Sequence, residues 1–113
     1  MKFIYVCSPC RGNPPYEHGA IGKRKTSLNI WRAGLYCREV IDAGHIPIAP
    51  HYFYSDFLKD KIPEQRTMAL EACRRLLSVC NELWVLGTEI SEGMEIEITL
   101  AKKLRIPVVY REQ

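Results

Sequence analysis

A parallel α/β layer fold is what the sequence predicts, and three observations predict it. Short, β-rich apolar runs recur at 2–8, 46–50, 82–87 and 106–110. Helix-periodic stretches lie between them, at 27–43, 63–80 and 91–104. The strands and helices therefore alternate, the pattern of parallel strands with helices on both faces. With 113 residues the chain has room for one domain, 1–113, and one core. The expected architecture is a Rossmann-like three-layer sandwich around a parallel sheet of four to five strands.

Each element has its own warrant. "KFIYVCS" is an apolar run broken by "PCRGNPP", hence a buried strand followed by a loop. Residues 9–26 carry Pro9, Gly12, Pro14, Pro15, Gly19 and Gly22 and read as one long loop, a length that points to function. The first helix is expected from Ser27, as N-cap, to Ala43, with Gly44 as its stop and Trp31 in its opening turns. "IPIAP" is a short strand, and "HYFYSDFLKDKIP" an aromatic connection. Pro63 suits the first turn of the second helix. "ELWVLG" is the third strand, Ser91 the N-cap of the third helix, and "IPVVY" the last strand.

Composition narrows the function classes. Hydrophobic residues make up 47% and charged residues 26%, ordinary for a soluble globular protein. A net charge of +3 with no basic run beyond "KRK" argues against a nucleic-acid polymer as partner and suits a small anionic ligand. No stretch approaches the ~18 apolar residues of a membrane span. The N-terminal apolar run is too short for a signal sequence, so a cytoplasmic protein is expected. The five cysteines, at 7, 10, 37, 73 and 80, are an odd number and fit reduced thiols.

In such sheets ligands sit beyond the C-terminal strand ends. The loop after the first strand offers Ser8, Arg11 and Gly12, suited to an anion through backbone amides and a planar guanidinium. A tight turn with a surface arginine explains the same residues. Ser91 and Gly93 open the third helix, where free N–H groups and the dipole attract an anion; a plain N-cap explains Ser91 equally. Glu97 is the anomaly. On a helical wheel Gly93, Met94, Ile96, Ile98, Leu100, Ala101 and Leu104 form an apolar arc, and Glu97 falls in its middle, with Gly93, Met94, Leu100 and Ala101 as its neighbours at i±3 and i±4. A carboxylate there costs several kcal/mol unless satisfied, and Tyr5 is placed to donate a hydrogen bond to it. A desolvated carboxylate facing a cleft is a functional candidate.

The segments "IYVCSPCRG" and "SEGMEIEITLAKKLRIPVV" together resemble the nucleoside 2-deoxyribosyltransferase superfamily. Among its characterised branches the 2'-deoxynucleoside 5'-monophosphate N-glycosidases look most similar; small uncharacterised bacterial and phage relatives also resemble the chain, especially across 43–58. The resemblance implies that Glu97 is a catalytic nucleophile oriented by Tyr5. It implies that Ser8, Arg11, Gly12, Ser91 and Gly93 grip a 5'-phosphate, with no metal or organic cofactor required. His51, after the second strand, would protonate or stack on the departing base, or be a structural loop histidine. Those enzymes carry an acid on the helix before the third strand, expected here near Cys73. The sequence has no acid at that place, and Glu71 lies on another helical face. The family forms dimers or larger assemblies, and Trp31 with the aromatics at 52–57 suits a homo-oligomer. A non-catalytic nucleotide-binding or sensor domain of the same fold is the rival reading. The Cys7-x-x-Cys10 pair, as a redox or zinc site, is a third.

Overall fold

The structure, a computed structural model, describes residues 1–9, 19–54, 57–59 and 61–111, and over 19–30 the backbone alone. The elements run β1 (Phe3–Cys7), α1 (Gly19–Asp42), β2 (Ile46–Ile48), α2 (Pro50–Tyr54), α3 (Pro63–Ser78), β3 (Glu82–Leu86), α4 (Glu92–Lys103) and β4 (Val108–Arg111). The four strands form one parallel sheet in the order β2-β1-β3-β4.

The two inner strands are buried on both faces, which is why they read as continuous apolar runs. Tyr5, Cys7, Leu83 and Val85 point to one face. There they meet Leu77 of α3 and Met94, Ile98 and Ala101 of α4. Ile4, Val6, Trp84 and Leu86 point to the other face, against Tyr36 and Val40 of α1. The spacings 36/40 and 94/98/101 are the helical stripes that a sheet face requires. Helices thus cover both sides, and the three-layer expectation stands. The chain leaves β1 through α1 on one face and leaves β3 through α4 on the other. The crevice between the C-terminal ends of β1 and β3 is therefore the topological switch point.

Several boundaries differ from the sequence reading. Helix α1 begins at Gly19, so Ser27 is an interior residue and not an N-cap, and Trp31 lies near mid-helix. The stretch "GKRKTS" has no proline, and its lysines and arginine are good helix formers that outweigh Gly19 and Gly22, each unfavourable by about 1 kcal/mol. The aromatic connection contains the short helix α2, which opens at Pro50, a favoured first helical residue. Strand β2 consequently stops at Ile48. Ile96, assigned to the apolar arc of α4, is exposed. The buried stripe on that helix is narrower than the wheel suggested.

Candidate functional site

The site grows from the α3/α4 side of β1. Tyr5 sits in the middle of that strand, paired in register with Ile48 of β2 and Leu83 of β3. Its ring is fully buried, and its hydroxyl donates to the Glu97 carboxylate. Cys7, two residues along on the same face, places its thiol 3.8 Å from the Met94 carbonyl oxygen and close enough to Glu97 to favour its charged form. Glu97 lies on α4 between Met94 and Ala101, one turn from each, so the core stripe itself aims the carboxylate at the strand.

Electrostatics follow from that placement. Burial pushes the Glu97 carboxyl up from 4.5 to about 7, while the hydrogen bond from Tyr5 and the nearby Cys7 thiol pull the other way. No cation among the described residues offsets its charge. The residue as a whole keeps some solvent contact, although its carboxylate is desolvated. Burial, then the neighbouring Glu97 charge, hold the Tyr5 phenol well above its usual range, so it remains a donor. Cys73 of α3 completes the cluster by interacting with Tyr5 and Glu97, and burial raises its thiol to about 11. It therefore stands uncharged where the sequence comparison anticipated an acid. Glu71 is turned away, held by Arg74 at 2.6 Å and Arg75 at 2.9 Å on the solvent side.

A second group lies at the ends of β1 and β2. Ser8 is buried, and its Oγ shares a hydrogen bond of 3.2 Å with Nε2 of His51 at the start of α2. Burial lowers His51 to about 4, so the imidazole is neutral at physiological pH. Ser91 is the N-cap of α4. Its Oγ accepts from the Met94 N–H at 3.3 Å, and its own N–H reaches the Met94 sulfur at 3.4 Å. Gly93, in the first turn, is exposed. Arg11 and Gly12 lie outside the described residues, as does Cys10.

The structure thus joins Tyr5 with Glu97 and Ser8 with His51, and places Ser91 and Gly93 at the opening of α4. Two members were not singled out as site residues from the sequence, Cys7 and Cys73. Period-two alternation from Tyr5 was the available signal for Cys7. For Cys73 only the packing of α3 on β1 reveals the contact. Cys7, Cys37, Cys73 and Cys80 are free thiols. Among the described residues no three acidic, histidine or cysteine side chains converge as a metal site. No described helix is long and apolar enough to cross a membrane.

Comparison with known proteins gives a family. Residues 2–111 match the model described as a domain of unknown function, DUF7768, and the chain belongs to that family. No curated protein matches the chain in a sequence search. Among solved structures, a 2-deoxyribosyltransferase from the psychrotolerant bacterium Bacillus psychrosaccharolyticus superposes with a TM-score of 0.63 at 16% identity. The alignment covers 97% of this chain and 72% of that one, so the two share a fold over nearly all of the present sequence.

Proposed function

We propose that this chain, acting as a single domain, cleaves or transfers the N-glycosidic bond of a small nucleotide, with Glu97 as nucleophile. The observation that carries the reading is the Glu97 carboxylate itself. It lies on a core face beside the switch-point crevice, with no cation against it among the described residues, and is oriented by the buried Tyr5 hydroxyl. A purely structural role would favour an apolar residue there, since an unpaired buried carboxylate opposes folding. The shared fold with a 2-deoxyribosyltransferase agrees with this chemistry.

In the proposed reaction the ionised Glu97 attacks C1' of the sugar as the bond to the base breaks. The bonding pair leaves with the base, which takes a proton from solvent, and a glycosyl ester forms on Glu97. Water then releases the sugar, or a second base accepts it. Tyr5 holds the carboxylate oxygen and keeps part of the anion stable against burial. The amides at the opening of α4, with Ser8, Ser91, Gly93, Arg11 and Gly12, receive a 5'-monophosphate. His51, neutral above about pH 4, orients Ser8 and offers a face to the base; it carries no proton to it at neutral pH. The half-exposed Tyr52, Phe53 and Phe57 next to it suit a homo-oligomer contact. The proposed reaction calls for no cofactor, and a cytoplasmic protein fits a nucleotide substrate.

The test is base release from a panel of nucleosides and 5'-monophosphates, followed by chromatography, with a free base supplied in parallel as acceptor. Release from 5'-monophosphates, abolished in Glu97→Ala, supports the reading. No release from any substrate under either condition overturns it. A second reading, nucleotide binding without turnover, is favoured by one observation. Cys73 is an uncharged thiol at the place where an acid would assist departure of the base. Binding of a 5'-monophosphate without base release would establish it.

A further inference from the structure

On the opposite side of the switch point from Glu97 is a cavity of about 320 Å³ between α1 and the β3–α4 connection. Pro9, directly after Ser8, forms part of its wall, and Gly87 and Thr88, directly after β3, form another part. Helix α1 supplies Trp31, Arg32 and Tyr36. Glu89 closes the rim two residues before the Ser91 cap.

The cavity is built at its floor. Gly87 has φ +99°, and a Cβ there would lie 3.1 Å from the Tyr36 hydroxyl. Only glycine lets the chain turn and pass the tyrosine so closely. Trp31 is 63% exposed, a large aromatic surface left open beside a recess. Trp84, by contrast, is buried in the core. Arg32, Thr88 and Glu89 have no hydrogen-bond or ion-pair partner among the described residues, so a donor fork, a hydroxyl and a carboxylate remain available around one flat ring. A planar face with both donors and acceptors at its edge is the chemistry that recognises a heteroaromatic base.

We propose that this cavity binds a nucleobase ring, stacked on Trp31 and read at its edge by Arg32, Thr88 and Glu89. It is distinct from the base cleaved over Glu97, because the two places lie on opposite faces of the sheet. The ring arrives either as a free base, the acceptor for transfer, or as the far end of a ligand extended beyond its 5'-phosphate. The proposal extends the Glu97 reading, and its test separates the two.

The experiment titrates the full chain with adenine, with adenosine 5'-monophosphate and with diadenosine diphosphate, read by Trp31 fluorescence and by calorimetry. Wild type, Trp31→Ala, Glu89→Gln and Glu97→Ala are compared, each checked for folding by circular dichroism. The expected result is quenching by at least one probe, with affinity falling about tenfold or more in Trp31→Ala and severalfold in Glu89→Gln. Affinity at this cavity is unchanged in Glu97→Ala. Adenine alone sufficing identifies a free base; a requirement for the dinucleotide identifies an extended ligand. Affinities that are identical in wild type, Trp31→Ala and Glu89→Gln for every probe, or no binding at all, overturn the proposal. If Trp31-dependent binding persists while no nucleotide loses its base, the Glu97 reading has failed and the cavity stands.

Discussion

Glu97 gives the sharpest predictions at the scale of single residues. Its carboxyl lies near 7 in the folded chain against 4.5 without burial, so folding takes up a proton. The stability tied to that proton is fully present below pH 4.5 and is lost as pH rises through about 7. Glu97→Gln should therefore stabilise the protein at pH 8 by on the order of 2 kcal/mol, with the gain disappearing below pH 4.5. Urea denaturation of both forms at pH 4 and pH 8 checks this. Base release, which needs the anion, should climb through about pH 7. In Tyr5→Phe the lost hydrogen bond moves that midpoint upward and lowers the maximal rate by roughly tenfold to a hundredfold; a pH–rate profile decides. His51 acts in the opposite direction. Its folded value of about 4 lies below the ordinary 6.5, so its contribution is complete above pH 6.5 and is lost as pH falls through 4. His51→Gln should flatten the acid limb of the stability curve over that window.

At the scale of elements, the opening of α4 and the end of β3 set the crevice. Ser91→Ala removes the side-chain cap on the Met94 N–H and should cost about 1 kcal/mol in thermal or chemical unfolding. If the same hydroxyl also meets a phosphate, KM for 5'-monophosphates rises more than KM for nucleosides. Gly87→Ala combines a left-handed backbone with a 3.1 Å approach to the Tyr36 hydroxyl and should destabilise by roughly 1–3 kcal/mol. Tyr36→Phe in the same chain should recover the steric part alone, as a double-mutant cycle would show. Part of this was legible beforehand, though not the Gly87–Tyr36 contact. Ser91 and Glu97 stand out because capping and helical periodicity are local, and Pro63 does indeed open α3. The start of α1 was not legible, because Gly19 and Gly22 resemble loop residues while the helix they belong to continues through "GKRKTS" to the core. Ile96 was misplaced because a wheel gives an arc of fixed width, whereas the core against β1 and β3 takes Met94, Ile98 and Ala101, with Leu100 at its edge, and leaves Ile96 exposed.

For the whole molecule, topology explains why distant residues become one site. The order β2-β1-β3-β4 places β1 between β2 and β3, so the residues following all three strands flank a single crevice. The two central runs could be read from sequence, since strands covered on both faces are apolar throughout. What could not be read is which helix lies over which face. That choice brings Cys73 to Tyr5, and it puts Trp31 beside Gly87 on the opposite side. Such contacts depend on layer packing between segments far apart in sequence. The central claim, that Glu97 becomes covalently attached to a sugar, is tested most directly by mass spectrometry. The protein is mixed with a 2'-deoxynucleoside 5'-monophosphate, quenched in acid within the first turnover, weighed intact and mapped by peptide. The account predicts a deoxyribose 5-phosphate adduct on the peptide that carries Glu97, absent from Glu97→Gln. Base release that proceeds without any adduct, at a rate Glu97→Gln does not reduce, would contradict it.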